Sequence, residues 1–210
     1  MTATRRLLTL CLGLLVMTVA HADEADCGAL RNHFGPFDYR TAKQADIRVV
    51  EDNHFTRQVE NLQAGSTSTN IAADINYTLR VFPNHPRALL AMARLAERQK
   101  VPKPKGSEYT IACWFDRAMR FQPDDPQVRL VLGIVLLRAN KPDEAVQALQ
   151  QAIELFGDRE SGNAYYNLGL AYFELKDFEN ARLYARKAYD AGFPLPGLRN
   201  KLQAAGKWTE

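Results

Sequence analysis

The chain of 210 residues predicts an all-α fold built as a stack of antiparallel helix hairpins, on three observations. The stretch "NLGLAYFELKDFENARLYARKAYDAGFP", residues 167–194, reads as two short amphipathic helices joined at a tight polar turn. The same pattern recurs upstream in "VRLVLGIVLLRANKPDEAVQALQQAIELF", with Gly133 and Gly169 standing 36 residues apart. Pro83 and Pro123 close two further helical segments 40 residues apart. A hairpin of this size cannot bury its own apolar face, so copies must stack on one another.

The first element is expected to be removed. Arg5 and Arg6 precede an apolar run from Leu7 to Ala20, and Ala20-His21-Ala22 has the small-x-small form of a secretory cleavage site. Residues 1–22 are therefore expected to be a signal peptide, with the mature chain starting at Asp23 and exported, to a periplasm or an equivalent compartment. A retained anchor is the competing reading, but the run falls short of the roughly 20 residues that span a bilayer. Neither Cys11 nor Cys27 sits in a convincing lipidation context. Of 27 Lys and Arg, two lie in this leader, so the remaining 25 stand against 24 Asp and Glu, a net charge of +1. That balance lacks the basic excess a nucleic-acid partner requires. The two remaining cysteines, Cys27 and Cys113, make one disulfide possible in an oxidising compartment.

Residues 23–51 hold "CGALRNHFGPFDYR", with Phe34, Phe37 and Tyr39 around a Gly35-Pro36 turn. Aromatics at this density usually bury, so the segment is expected to cap the first hairpin; recognition of a partner is the sharper alternative. The first hairpin, 52–85, is expected to pair "HFTRQVENLQAGS", with Phe55, Val59 and Leu62 on one face, with "NIAADINYTLRVFPNHP". The second, 86–125, pairs "HPRALLAMARLAERQ" with "YTIACWFDRAMRFQPDDP" across "KVPKPKGSE", a connection about six residues longer than usual. The basic residues of that connection, Arg98, Lys100, Lys103 and Lys105, fit a solvated turn better than a docking site. The third and fourth hairpins span 126–159 and 161–195, and residues 196–210 form a capping helix and tail, with Leu198 and Leu202 over the open end. The acid pairs Asp124-Asp125 and Asp143-Glu144 stand at helix starts, where they favour free N–H groups and the positive end of the dipole.

Tyr165, Leu168, Gly169 and Tyr172, followed by Ala181, Ala185 and Ala188, have the spacing of a tetratricopeptide repeat, and Leu132-Gly133, Leu136, Ala145, Leu149 and Ala152 repeat it. The chain thus resembles the tetratricopeptide repeat (TPR) family. The resemblance implies a right-handed superhelical α-solenoid whose first helices line a groove that accepts a peptide or helix from a partner. Projected here, the groove carries Arg87, Leu90, Arg94 and Glu97 from the second hairpin, Leu130, Ile134, Leu137 and Arg138 from the third, and Tyr166, Leu170, Phe173 and Glu174 from the fourth. Such a face fits an amphipathic segment of a protein partner; the alternative is that the chain's own N-terminal segment or C-terminal helix covers it. Asn167 matches an asparagine of repeats that clamp C-terminal carboxylates, but the other clamp cations are not at matching places.

No residue pattern points to catalysis, a metal or a cofactor. His33, His54 and His85 lack partners at ligand spacing, and no nucleophile elbow or phosphate loop occurs. The expected function is a non-enzymatic, exported TPR adaptor or scaffold that binds a protein or peptide during assembly or function of a cell-envelope complex. Two other classes compete: an envelope enzyme or enzyme subunit using His33, Asp38 and Tyr39, and a structural homo-oligomer associating through the groove.

Overall fold

The computed structural model describes residues 27–157, 159 and 161–208; the expected leader lies outside them. Among the described residues the ordered elements are all helices: α1 Gln44–His54, α2 Arg57–Glu60, α3 Ile71–Val81, α4 Pro86–Gln99, α5 Ile111–Phe121, α6 Pro126–Arg138, α7 Pro142–Phe156, α8 Gly162–Glu174, α9 Phe178–Asp190 and α10 Gly197–Ala204. Their starts are written locally. Proline opens α4, α6 and α7, where its missing N–H costs nothing. The side chains of Asn70, His85, Thr110, Asp125, Ser161 and Asp177 each accept a hydrogen bond from a free N–H of the helix that follows. Asp143 and Glu144 lie in the first turn of α7, and Asp124 pairs with Arg40 instead of capping. Between α6 and α7 the chain reverses at Asn140, φ 57°, a left-handed conformation that asparagine tolerates well.

Helices pair in sequence as α4–α5, α6–α7 and α8–α9, and each first helix also touches the next, α4 on α6, α6 on α8 and α8 on α10. The result is a helical-repeat solenoid. Small residues set the spacing within hairpins: Ala145, Ala152, Ala181 and Ala185 are fully buried. A Cβ added to Gly169 would stand 2.6 Å from Leu198 Cδ2 and 3.2 Å from the Ala181 carbonyl oxygen. α10 takes the place of a next first helix, its Leu198 and Leu202 closing the cluster of Ala181 and Ala185. Trp208 finishes this end, with the Arg199 guanidinium 5.2 Å from its ring centre and Tyr189 edge-on to it.

The first hairpin differs from the expectation. Its leading helix is α1, so residues 44–51 of the segment expected to cap it are helical, and the expected helix over 54–66 is limited to the four residues of α2. Two features break it. Phe55 and Thr56 leave the helical region at φ −133° and −60° with ψ 44° and 163°. Further on, the buried Asp74 carboxylate accepts from the Ser66 N–H at 2.8 Å, the Thr67 hydroxyl at 2.6 Å and the Ser68 N–H at 3.3 Å, which folds 66–68 into a loop. Phe55, Val59 and Leu62 are nevertheless all buried in the cluster of Ile75, Leu89 and Trp114.

The N-terminal residues form a strap across α3 and α5, the second helices of their hairpins. The Phe37 N–H donates to the Val81 carbonyl at 2.8 Å, and Phe34, Phe37 and Tyr39 pack on Val81 and Phe82. Buried Arg117 of α5 donates to the carbonyls of Cys27 and Ala29 at 2.8 and 2.9 Å, and a disulfide joins Cys27 to Cys113, with Cα atoms 5.0 Å apart. The two cysteines are 86 residues apart, so in the chain-entropy account this cross-link stabilises by up to about 4 to 5 kcal/mol. A Cys27→Ser/Cys113→Ser chain is expected to unfold at lower denaturant with unchanged helix content by circular dichroism; a midpoint equal to the wild type would show that the cross-link adds no stability.

Candidate protein-binding face

The face shared by α4, α6 and α8 is the place where the projected groove residues fall, and burial divides them into three groups. Leu130 is 2% exposed, packed with Ala164 and Leu168 between α6 and α8, and so belongs to the core and not to a groove. Ile134 and Leu137 are half-buried against the same cluster, as is Leu90 against the first one. Tyr166, Leu170 and Phe173 are half-buried under α10 with Leu198 and Leu202, and Lys201 lies over Phe173 while pairing with Glu174 at 3.0 Å. The chain's own C-terminal helix therefore covers the fourth-hairpin part of the projected groove. Its N-terminal strap lies on the opposite, second-helix side.

What remains open is the charged part. Arg94 is exposed, and Arg138 reaches across from α6 to Glu97 of α4 with two hydrogen bonds to one carboxylate oxygen, at 2.9 and 2.7 Å. Next to them, Ala93, Ala96, Val101, Ile111, Val135 and Ala139 line a cleft of about 410 Å³. Sequence reasoning placed Arg94 and Arg138 here but missed the cleft. Its one sequence signal was the over-long connection after α4.

Arg87 has a different role. It bridges α4 to Glu51 of α1 at 2.8 Å and Glu60 of α2 at 2.9 Å. Glu51 is also hydrogen-bonded by the Tyr39 hydroxyl at 2.7 Å and by His85 Nε2 at 3.1 Å. His85 Nδ1 accepts from the Ala88 N–H, so Nε2 is the nitrogen that carries the proton and donates. The hydrogen bond from His85, against the effect of burial and aided by Tyr39 and Arg87, holds the Glu51 carboxyl down at about 2. Burial pushes His85 below its ordinary value, with Glu51 opposing.

Asp38 and Tyr39, two of the three residues considered for an enzyme, are engaged in holding the strap. Asp38 accepts from Asn84 and Arg40, both at 2.7 Å, and Asn84 in turn donates to Asp125 at 2.7 Å. His33 is exposed. Among the described residues no group of three His, Cys, Asp or Glu is placed to hold a metal ion, and no helix is long and apolar enough to cross a membrane.

Comparison with known proteins agrees with this architecture. The family model of the tetratricopeptide repeat matches residues 130–194. Over these residues the chain carries tetratricopeptide repeats. The solved structure of PilW, titled a widely conserved type IV pilus biogenesis factor, superposes with a TM-score of 0.56 over 79% of this chain and 72% of that one, at 20% identity. The protein O-mannosyl-transferases TMTC3 of Homo sapiens and Mus musculus are 27% and 30% identical over 132 residues. These cover 62% of this chain, which spans 14% of the length of those relatives. Tetratricopeptide domains are in general non-catalytic protein-interaction modules, so the repeats give this chain the fold of an interaction scaffold.

Two outcomes follow from the burial and the ion pairs. Phe173→Ser with Leu137→Ser should lower stability by about 2 kcal/mol or more, because both side chains close helix contacts. Arg94→Ala should stay within about 0.5 kcal/mol of wild type in the same denaturant series. Acid should weaken the fold in two stages. Below the ordinary histidine value of 6.5 the unfolded chain takes up a proton that buried His85 resists, so stability falls with pH. The Glu51 contribution is complete above 4.5 and is lost as pH falls towards 2. Glu51→Gln should flatten the lower stage of a melting-temperature series; an unchanged slope there would remove Glu51 as its source.

Proposed function

We propose that this chain is an exported, non-enzymatic scaffold that holds a segment of a protein partner on its α4–α6 side, within a complex of the cell envelope. The observation that carries this reading is the direction of the strap. Its disulfide goes to α5 and its hydrogen bonds to α3, α5, the turns after them and Glu51 of α1, so the first-helix side between α4 and α6 keeps exposed cations around an apolar cleft. Export is supported by the basic-then-apolar character of residues 5–22 and by a cysteine pairing suited to an oxidising compartment. Against the enzyme alternative stand the internal hydrogen bonds of Asp38 and Tyr39.

The test is site-directed photo-crosslinking in cells that make the protein, with a benzophenone amino acid at position 94 on α4 or at position 112, exposed on α5. A scaffold using the first-helix side gives a discrete partner adduct from position 94 and none from 112. Adducts from 112 alone would move the interface to the strap side, and adducts from neither would end the reading. In the same cells the recovered protein should begin at Asp23, and a form retaining Met1 would refute export by a cleaved leader.

A further inference from the structure

The cleft between α4 and α6 has a construction that the repeat pattern alone does not supply. After α4 the chain reverses at Lys100, φ 55°, and the Val101 N–H closes on the Ala96 carbonyl at 3.1 Å. Ten residues further on, the Ile111 N–H donates to the Pro102 carbonyl at 3.0 Å, which pins both ends of the connection beside the start of α5. Val101, Pro102 and Ile111 thereby line the cleft together with Ala93 and Ala96 of α4, Val135 of α6 and Ala139 just after it. Val101 remains 39% exposed, a large apolar side chain held at the mouth and not folded away. The cleft's volume of about 410 Å³ is of the size that takes an aromatic or leucine side chain with its flanking backbone.

Charge selects among occupants. Three cations, Arg94, Lys100 and Arg138, and one acid, Glu97, stand on the rim. Glu97 is committed to Arg138. Among the described residues no carboxylate pairs with Arg94 or Lys100, so the mouth of an apolar cleft carries a cationic surplus. That combination rejects basic segments and complements carboxylates placed on either side of an apolar anchor.

We propose that this cleft takes an acidic peptide segment of the partner, with one large apolar side chain seated on Ala93 and Val135 and flanking Asp or Glu side chains on Arg94 and Lys100. The proposal rests on the scaffold reading and adds the chemistry of what is held. Fluorescence anisotropy with a labelled short peptide, a central phenylalanine between aspartates, tests it on the chain from Asp23 to Glu210. Two controls replace the aspartates by lysines or the phenylalanine by serine.

The acidic peptide should bind with an affinity that falls as salt rises, and both controls should fail. Arg94→Glu with Lys100→Glu should weaken it by about tenfold or more and admit the lysine peptide. Ala139→Trp, which fills the cleft from an exposed position, should block it. Absence of binding to the wild-type chain, or equal binding to Arg94→Glu/Lys100→Glu, overturns the proposal. So does binding of laurate with no peptide bound, which would assign the cleft to an amphiphile. If the position-94 adduct still forms in any of these cases, the scaffold stands and only its chemistry falls; if that adduct is also missing, both fall.

Discussion

Close approach of helices through alanine and glycine is the constraint on which the rest of this structure depends. At Ala145, Ala181 and Gly169 a second helix passes so near that a larger side chain has no room. Such contacts make tight hairpins, and a tight hairpin has a broad apolar face that only another hairpin can cover. Stacking is then compulsory, and the two ends of the stack become the places where the chain needs something other than another repeat. At the C-terminal end the solution uses the same means. α10 occupies the next first-helix position with Leu198 and Leu202 inward, and Tyr189, Arg199 and Trp208 stack outside it.

The N-terminal end is solved differently, because the described residues before α1, 27–43, form no helix. An irregular strap must lose its backbone freedom without the return of a hydrogen-bonded ladder, at about 1 to 2 kcal/mol for each residue held. Its anchors are correspondingly strong. Aromatic side chains bury on Val81 and Phe82, the disulfide ties Cys27 to α5, and Arg117 gives its charged donors to strap carbonyls. Arg117 does so at a cost, since its Nε is buried without a partner and burial pushes the group below its ordinary value. The face of the Tyr109 ring, 4.3 Å from the guanidinium carbon, offsets part of that cost.

How much was legible in the sequence tracks how local the physics is. The helices of 126–190 could be read because proline, capping side chains and small residues act within a turn or two of where they stand. The first hairpin could not, because its shape depends on Asp74, which reaches back to Ser66, Thr67 and Ser68 and holds the loop that replaces a helix. The same division runs through the binding face. Periodicity puts Leu130 and Leu137 on the side that faces the neighbouring first helix, but it does not state how near that neighbour lies. Leu130 is consequently core while Arg138, two turns along, is exposed. Paired side chains such as Glu51 and His85, 34 residues apart, carry no mark in a linear pattern.

The separation of roles between the two sides of the solenoid follows from these same anchors. Because Cys113, Arg117 and the end of α3 hold the strap, the second-helix side of the first two hairpins is occupied by the chain itself. Because α10 takes Tyr166, Leu170 and Phe173, the last first helix is occupied too. The surface left between is the one bordered by α4, α6 and the connection after α4, where two consecutive first helices meet beside a widened turn. Lengthening this hairpin turn opens a cleft without disturbing the Ala and Gly contacts that set the spacing of the later hairpins. The departure from the repeat, and not the repeat itself, is therefore what opens this cleft.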